Sequence, residues 1–228
     1  MISTFTGLYT AVRGLYSSQA ALTVTSNNIS NTDTDGYSRQ KVNQTTNSPS
    51  ADYNGKAIIG TGALVTSVNR VRDPLLDKKY WYQNGSLGEW GVKSSALTEV
   101  EEVLNESDNS FSTVMDDFYS ALDDLSNNAG DSSARTTVME AGKTVCTFLN
   151  DAAERLSSLQ NDANTAVKTT VTQINAYTRQ IADLNGQIQQ AKVSGAAAND
   201  LEDQRDLLID KLSALTEVTV SETTIGTN

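Results

Sequence analysis

The chain has 228 residues, with 28 acids against 17 bases and no histidine, a length at which one large or two modest domains can bury a core. A formal charge of −11 repels phosphate backbones and anionic lipid, which argues against nucleic-acid and membrane-surface partners. Without histidine the usual acid/base group and the commonest metal ligand are both missing, and an apolar fraction of 38% suits long, partly exposed helices better than a thick enzyme core.

The first predicted element is a helix carrying Met1, Phe5, Leu8, Val12, Leu15, Leu22 and Ile29 at steps of three and four, interrupted where Gln19 and Ser26 fall on the same stripe. Such spacing makes one narrow apolar seam, of the kind that pairs with another helix. Its other residues are small and polar, so the helix is marginal alone. With no nearby partner evident in this chain, the seam reads as intermolecular. Asn27, Asn28, Asn31, Asp33, Asp35 and Gly36 end the helix, and a turn is expected around Thr34-Asp35-Gly36.

From Ser38 to Arg72 the pattern becomes extended. Val42, Thr45 and Thr46 suggest one piece and Ile58 to Val71 another, joined by a turn at Asn54-Gly55. Gly60-Thr61-Gly62 interrupts the second piece and predicts a bulge or a close backbone contact. It lacks the lysine and the helix start of a phosphate-binding loop.

Asp73-Pro74 opens the next helix, with Asp73 as N-cap, and this helix runs to about Asn105. Gly85, Gly88 and Gly91 inside it predict either a kink or a close neighbour. A further helix covers Ser110 to Asn127, with Phe111, Val114, Phe118, Leu122 and Leu125 on one face. The longest covers about 133–193, with a seam from Val138 through Val145, Leu149, Ala152, Leu156, Val167, Val171 and Leu184 to Ile188. At 1.5 Å per residue it extends roughly 90 Å, against roughly 45 Å for a compact globule of this size, so an elongated molecule is expected. Asn199 and Glu202 form a capping-box-like start to a last helix with Leu201, Leu208, Leu212 and Leu215 as its seam, antiparallel to the preceding one. Val218-Thr219-Val220 then reads as a strand just beginning.

The fold class expected is therefore mainly α: an elongated antiparallel helical bundle with long coiled-coil-like helices, a small β-hairpin near 41–72 and the start of a β domain at the C-terminal end. The divisions are an N-terminal helix over 1–33, an extended linker and hairpin over 34–73, a helical bundle over 74–215, and the start of a truncated β-rich domain over 216–228.

Candidate chemistry is sparse. Acid pairs at Glu101-Glu102, Asp116-Asp117 and Asp123-Asp124 diverge by about 100° on a helix and cannot flank one substrate. Asp200, Glu202, Asp203 and Asp206 occupy the first turns of a helix, where the macrodipole favours negative charge, with Arg205 and Lys211 to offset them. The single Cys146, among Val145, Phe148 and Leu149, reads as a buried packing residue. No catalytic, metal or cofactor residue is assigned, and an enzyme is not expected.

The stretch from Leu22 to Gln40 resembles the N-terminal signature shared by flagellar rod, hook and hook-associated proteins, in which N-N-I-A-N is followed by T-x-G-Y. Asn27, Asn28, Ile29, Asn31, Thr34, Gly36 and Tyr37 match it, Ser30 replaces the usual alanine and Asp35 the frequent proline. Ser38-Arg39-Gln40 looks like the hook-associated branch. Gly60–Gly62 leading to Val68–Arg70 and Asp73, Phe118–Leu122, Gln180–Asn185 and Asn199–Leu208 are similar to later segments of the member that joins hook to filament.

This resemblance implies a structural component of the extracellular flagellum, an adaptor between hook and filament that is needed for filament assembly. Its implied partners are other copies of itself in an axial ring, the hook protein, a second hook–filament junction protein, and the flagellar type III export apparatus with an export chaperone. Export by that route would need no cleaved signal. Phe5, Leu8, Val12, Leu15, Leu22 and Ile29 would form the polymer interface, paired with a C-terminal helix, while Asn28, Asn31, Thr34, Gly36 and Tyr37 would shape the turn out of it. Without that C-terminal helix as partner, residues 1 to about 33 are expected to be mobile. The rival readings are a rod or hook subunit, which would not carry the long helical hairpin, and a free-standing coiled-coil binding module, which would not carry the signature.

Overall fold

A computed structural model describes residues 5–51, 58–104 and 110–221; Met1 and the Asn54-Gly55 turn fall outside these. The elements are α1 (Thr6–Ser30), β1 (Gln40–Thr46), β2 (Ser50–Ala51), β3 (Ile58–Ile59), β4 (Ala63–Arg70), α2 (Pro74–Leu104), α3 (Phe111–Asn127), α4 (Ser132–Val193) and α5 (Asn199–Ser213). The fold is mainly α with long helices, as the periodicity indicates. Two compact units are present. One is Met1–Gly85 with Asn175–Asn228, the other Ser86–Ile174.

The second unit pairs α3 with part of α4. Ser110 caps α3, its hydroxyl accepting from Thr113 N at 3.2 Å. The Phe111 ring lies 5.9 Å from that of Phe148, and a Cβ on Gly142 would meet Phe118 at 3.6 Å. As one partner advances along the chain the other retreats, so the two helices are antiparallel. Val114, Ala121 and Ala152 are buried here.

Two expectations about α4 are corrected. Leu149, Leu156, Val167 and Val171 are exposed rather than core, because α3 is 17 residues long against the 62 of α4 and Trp90, Val92 and Leu97 of α2 stay exposed themselves instead of covering the remainder. Cys146 is likewise exposed. It lies one residue, about 100° of helix, beyond half-buried Val145 and so turns off the packed face.

In the first unit β1 and β4 form an antiparallel ladder from Gln40↔Arg70 to Thr46↔Ala63, with a register shift between Asn43 and Gln44. The extra residue, Thr66, uses its hydroxyl to donate to Asn43 O at 3.1 Å. β2 pairs with β3. Asp73 caps α2, its carboxylate accepting from Leu75 N at 2.9 Å. Gly85 answers to a close neighbour, since a Cβ there would lie 3.2 Å from Ser213 O, whereas Gly91 meets nothing within 4 Å. Past the end of α4, Gly195 takes a φ of +76° that lets Ala196 N donate back to Ala191 O at 2.9 Å.

The capping box expected at α5 does not form. No side-chain cap bond is made at its start, because Asn199 donates to Val68 O at 2.9 Å and Glu202 turns to Arg70 and Lys192. Val218–Val220 belong to no strand among the described residues, as a strand requires a pairing edge.

Candidate functional site

The helix α1 is two-faced, but not as its apolar pattern first suggests. Leu8, Leu15, Leu22 and Ile29 are 60–71% exposed, Phe5 is 60% exposed, and Val12 is half-buried. The packed face is the small polar one. Ser17 is only 4% exposed, and its carbonyl accepts from Gln44 Nε2 at 3.2 Å. Arg13 reaches Thr61 O at 3.3 Å. Gly62, at φ +97°, passes so close that a Cβ would sit 3.1 Å from Thr10 O, which accounts for the glycine interruption of the strand. The helix therefore has a partner within this chain, the β1–β4 hairpin. The expectation that no partner lies nearby in the chain is corrected for one face only: the hairpin covers the small polar face, while the leucines of the seam stay exposed.

The turn that follows is built by side chains. The Asn28 amide imitates a strand edge: its Oδ1 accepts from Gln40 N at 2.8 Å and its Nδ2 donates to Gln40 O at 2.9 Å. The same Oδ1 accepts the Tyr37 hydroxyl at 2.9 Å. Asn31 donates to Asn27 Oδ1 at 2.8 Å and accepts from Thr34 Oγ1 at 3.2 Å, while Tyr37 N donates to Thr34 O at 3.1 Å. Gly36, at φ +79°, rests on Leu207; a Cβ would come within 2.8 Å of that residue's own Cβ. All five turn residues read from the sequence therefore take part in one local network or its contact with α5.

Beneath the turn lies a charged lattice that the sequence reading does not anticipate. Arg70, at the end of β4, donates from Nη1 to Asp203 Oδ1 and Asp206 Oδ2, both at 2.8 Å, and its Nε lies 3.1 Å from Glu202. Ser38 N donates to the other Asp203 oxygen at 3.0 Å, and Gln40 Nε2 to Asp200 at 2.9 Å. Arg72 binds Asp77 at 2.7 Å. Trp81, buried, donates from its indole to Asp210 at 2.6 Å, and Asn84 bridges Asp210 O and Ser213 Oγ.

The acids of α5 are thus held chiefly by arginines more than 130 positions away in sequence, with Arg205 adding a 3.1 Å contact to Asp206. The expectation that Arg205, Lys211 and the helix dipole suffice is corrected, because carboxylates only 5% exposed need charge-assisted donors of their own. The one local signal was that positions 203, 206 and 210 share a helical face, a charged stripe that predicts a cationic partner without saying which.

Burial of the Arg70 guanidinium works against its charge, but hydrogen bonds to Asp203 and Asp206 and the field of Glu202 more than offset it, leaving the pKa above the ordinary arginine value. Arg72 is raised in the same way, desolvation being outweighed by Asp77, Asp206 and Asp210. Burial pushes the Asp210 carboxyl upward, opposed by Trp81 and Arg72 and reinforced by Asp77 and Asp206. Tyr37 is raised by burial and by Asp200 and Asp203. The carboxylates most deeply buried in this lattice face arginines and backbone amides, an arrangement that fixes elements in place rather than activating a nucleophile.

Two sequence-family matches now bear on this geometry. Residues 97–228 match the flagellar hook-associated protein FlgK helical domain, more than half of the chain. The chain belongs to the flagellar hook-associated protein family. Residues 8–37 match the flagella basal body rod protein family, a span containing most of the α1 seam and all five turn residues. Flagellar hook-associated protein 1 of Bacillus subtilis is 42% identical over the whole chain, and the proteins of that name from Escherichia coli and Salmonella typhimurium are 31% and 32% identical over 95% of it. The chain spans 46%, 40% and 39% of the length of these relatives. As a hook-associated protein it carries the rod-type signature and the helical domain in one continuous chain. No described helix is long and apolar enough to cross a membrane.

Proposed function

We propose that the chain serves as a structural adaptor at the junction of flagellar hook and filament, with the α1 seam as its polymer interface. The observation that carries this reading is an apolar seam turned to solvent on a helix whose opposite face is fixed to its own hairpin. A row of leucines exposed at coiled-coil spacing gains free energy only when another helix covers it. Phe5, Leu8, Val12, Leu15, Leu22 and Ile29 supply the contacts, and Asn28, Asn31, Thr34, Gly36 and Tyr37 set the direction in which the chain leaves the helix.

In this reading the protein works outside the cell, in a ring of its own copies between the hook protein and a second junction protein. It arrives there through the flagellar type III apparatus with the help of an export chaperone. The name shared by its relatives supports the junction over the rod or hook, as does the match of residues 97–228 to the helical domain.

The test is electron microscopy of cells lacking the parent gene, with flagellin assayed in the medium. Hooks without filaments and flagellin lost to the medium are expected. Absent hooks would move the role to rod or hook, and normal filaments would overturn the flagellar reading in favour of a free-standing helical binding module.

A further inference from the structure

Within the first unit, α1 and the β1–β4 hairpin form one group and α5 with the first turns of α2 another. α1 is bound to the hairpin by Asn28 on Gln40 and by Gln44 on Ser17. The hairpin is bound to α5 largely through polar groups, and they converge on one end of the ladder. Gln40 and Arg70 are cross-strand partners there, and Asp203 engages both strands at once, one oxygen on Arg70 and the other on the backbone N–H of Ser38.

Charge-assisted hydrogen bonds are short and directional, whereas an apolar contact tolerates sliding. A buried ion pair contributes little net stability over a well-packed apolar replacement, and its best-attested use is to specify one arrangement among several. From this placement we propose that Asp203 and Arg70 are positioning residues for the assembly helix: they latch the hairpin end onto α5 and so preset the direction in which the α1 seam is presented, before any partner arrives. The latch acts at a distance. Asp203 and Arg70 bond to Ser38, Glu202, Asp206 and each other, and the constraint passes from α5 through the hairpin to Asn28 and Ser17.

The proposal rests on α1 being the assembly helix, but its test uses the isolated chain. A latched helix that fails to assemble and an assembling helix that is not latched therefore give different results. Nitroxide labels are placed at exposed Ser18→Cys and Lys211→Cys in a Cys146→Ser background, and distances are read by double electron–electron resonance. The latch predicts a single narrow distribution. Asp203→Asn, which keeps the shape and removes the charge, should widen it about twofold while the far-ultraviolet helical signal stays unchanged, as expected when one state becomes several. Arg70→Met should widen it similarly and Arg70→Lys less. If Arg70→Met loses helical signal, the isosteric Asp203→Asn decides. An unchanged width in Asp203→Asn, or a broad distribution in the otherwise unsubstituted chain, would overturn the proposal.

Discussion

The first and last helices of this chain break the same rule in opposite ways. α1 turns its leucines outward and packs on Ser17 and its small polar neighbours, while α5 buries Asp203, Asp206 and Ser213 alongside Ile209 and leaves its leucines half covered. In neither helix does the apolar stripe mark the face used within the chain. The difference lies in what completes each one. α5 meets cationic side chains from its own chain, so its polar face is satisfied inside. Among the described residues the leucines of the α1 seam stay exposed, Leu8, Leu15 and Leu22 at 60–70%, so this apolar face remains available outside.

This contrast can be broken at several points. The largest effect is expected from Arg70→Ala, which leaves Asp203 and Asp206 buried without their main cation. Removing one partner of a buried pair costs about 3 kcal/mol or more, readable as a lower denaturant midpoint. A loss below about 0.5 kcal/mol, the range of ordinary surface substitutions, would show the acids to be solvated and the contrast false.

Gly36→Ala should come next, at about 2 kcal/mol, because left-handed backbone is strained for alanine and its Cβ would press on that of Leu207. The same melts measure it, and a neutral result would mean that the turn does not rest on α5.

Asp210→Asn sharpens the comparison in the other direction. Its folded pKa is raised, above all by burial, so the favourable contribution of this group is complete below the ordinary carboxylate pKa. That contribution is lost as the pH rises through the raised value. At neutral pH the amide should therefore stabilise the fold slightly, its oxygen still accepting the Trp81 indole, and the gain should disappear in acid. Thermal melts across that pH range would show it; a loss of stability at neutral pH would mean that Arg72 outweighs the burial.

Much of this was legible in the residues. Asp73-Pro74 marks the start of α2 through local chemistry, and that start and both ends of α3 and α4 fall within about one residue of where the sequence pattern puts them. The turn around Thr34-Asp35-Gly36 was readable because asparagine, aspartate and glycine favour such backbone locally, whereas the parts of Asn28 and Tyr37 came from the family resemblance, Asn28 binding Gln40 twelve positions on. What was not legible is pairing across the chain. The partner of Asp203 lies 133 positions away at Arg70, and local periodicity carries no information at that range. The same limit misassigned Asn199 and Glu202, whose spacing fits a cap but whose side chains go to Val68, Arg70 and Lys192. Cys146 failed for a smaller reason, a rotation of one residue about the helix axis.

The most direct measurement bears on the seam itself. The double variant Leu15→Asp/Leu22→Asp is introduced into the parent protein, returned to cells that lack it, and filaments are counted by electron microscopy. The isolated chain carrying the same changes is melted alongside. Both leucines are exposed, so the account predicts a melt within about 0.5 kcal/mol of the unsubstituted chain together with hooks that bear no filaments. Normal filaments on a stably folded variant would contradict it.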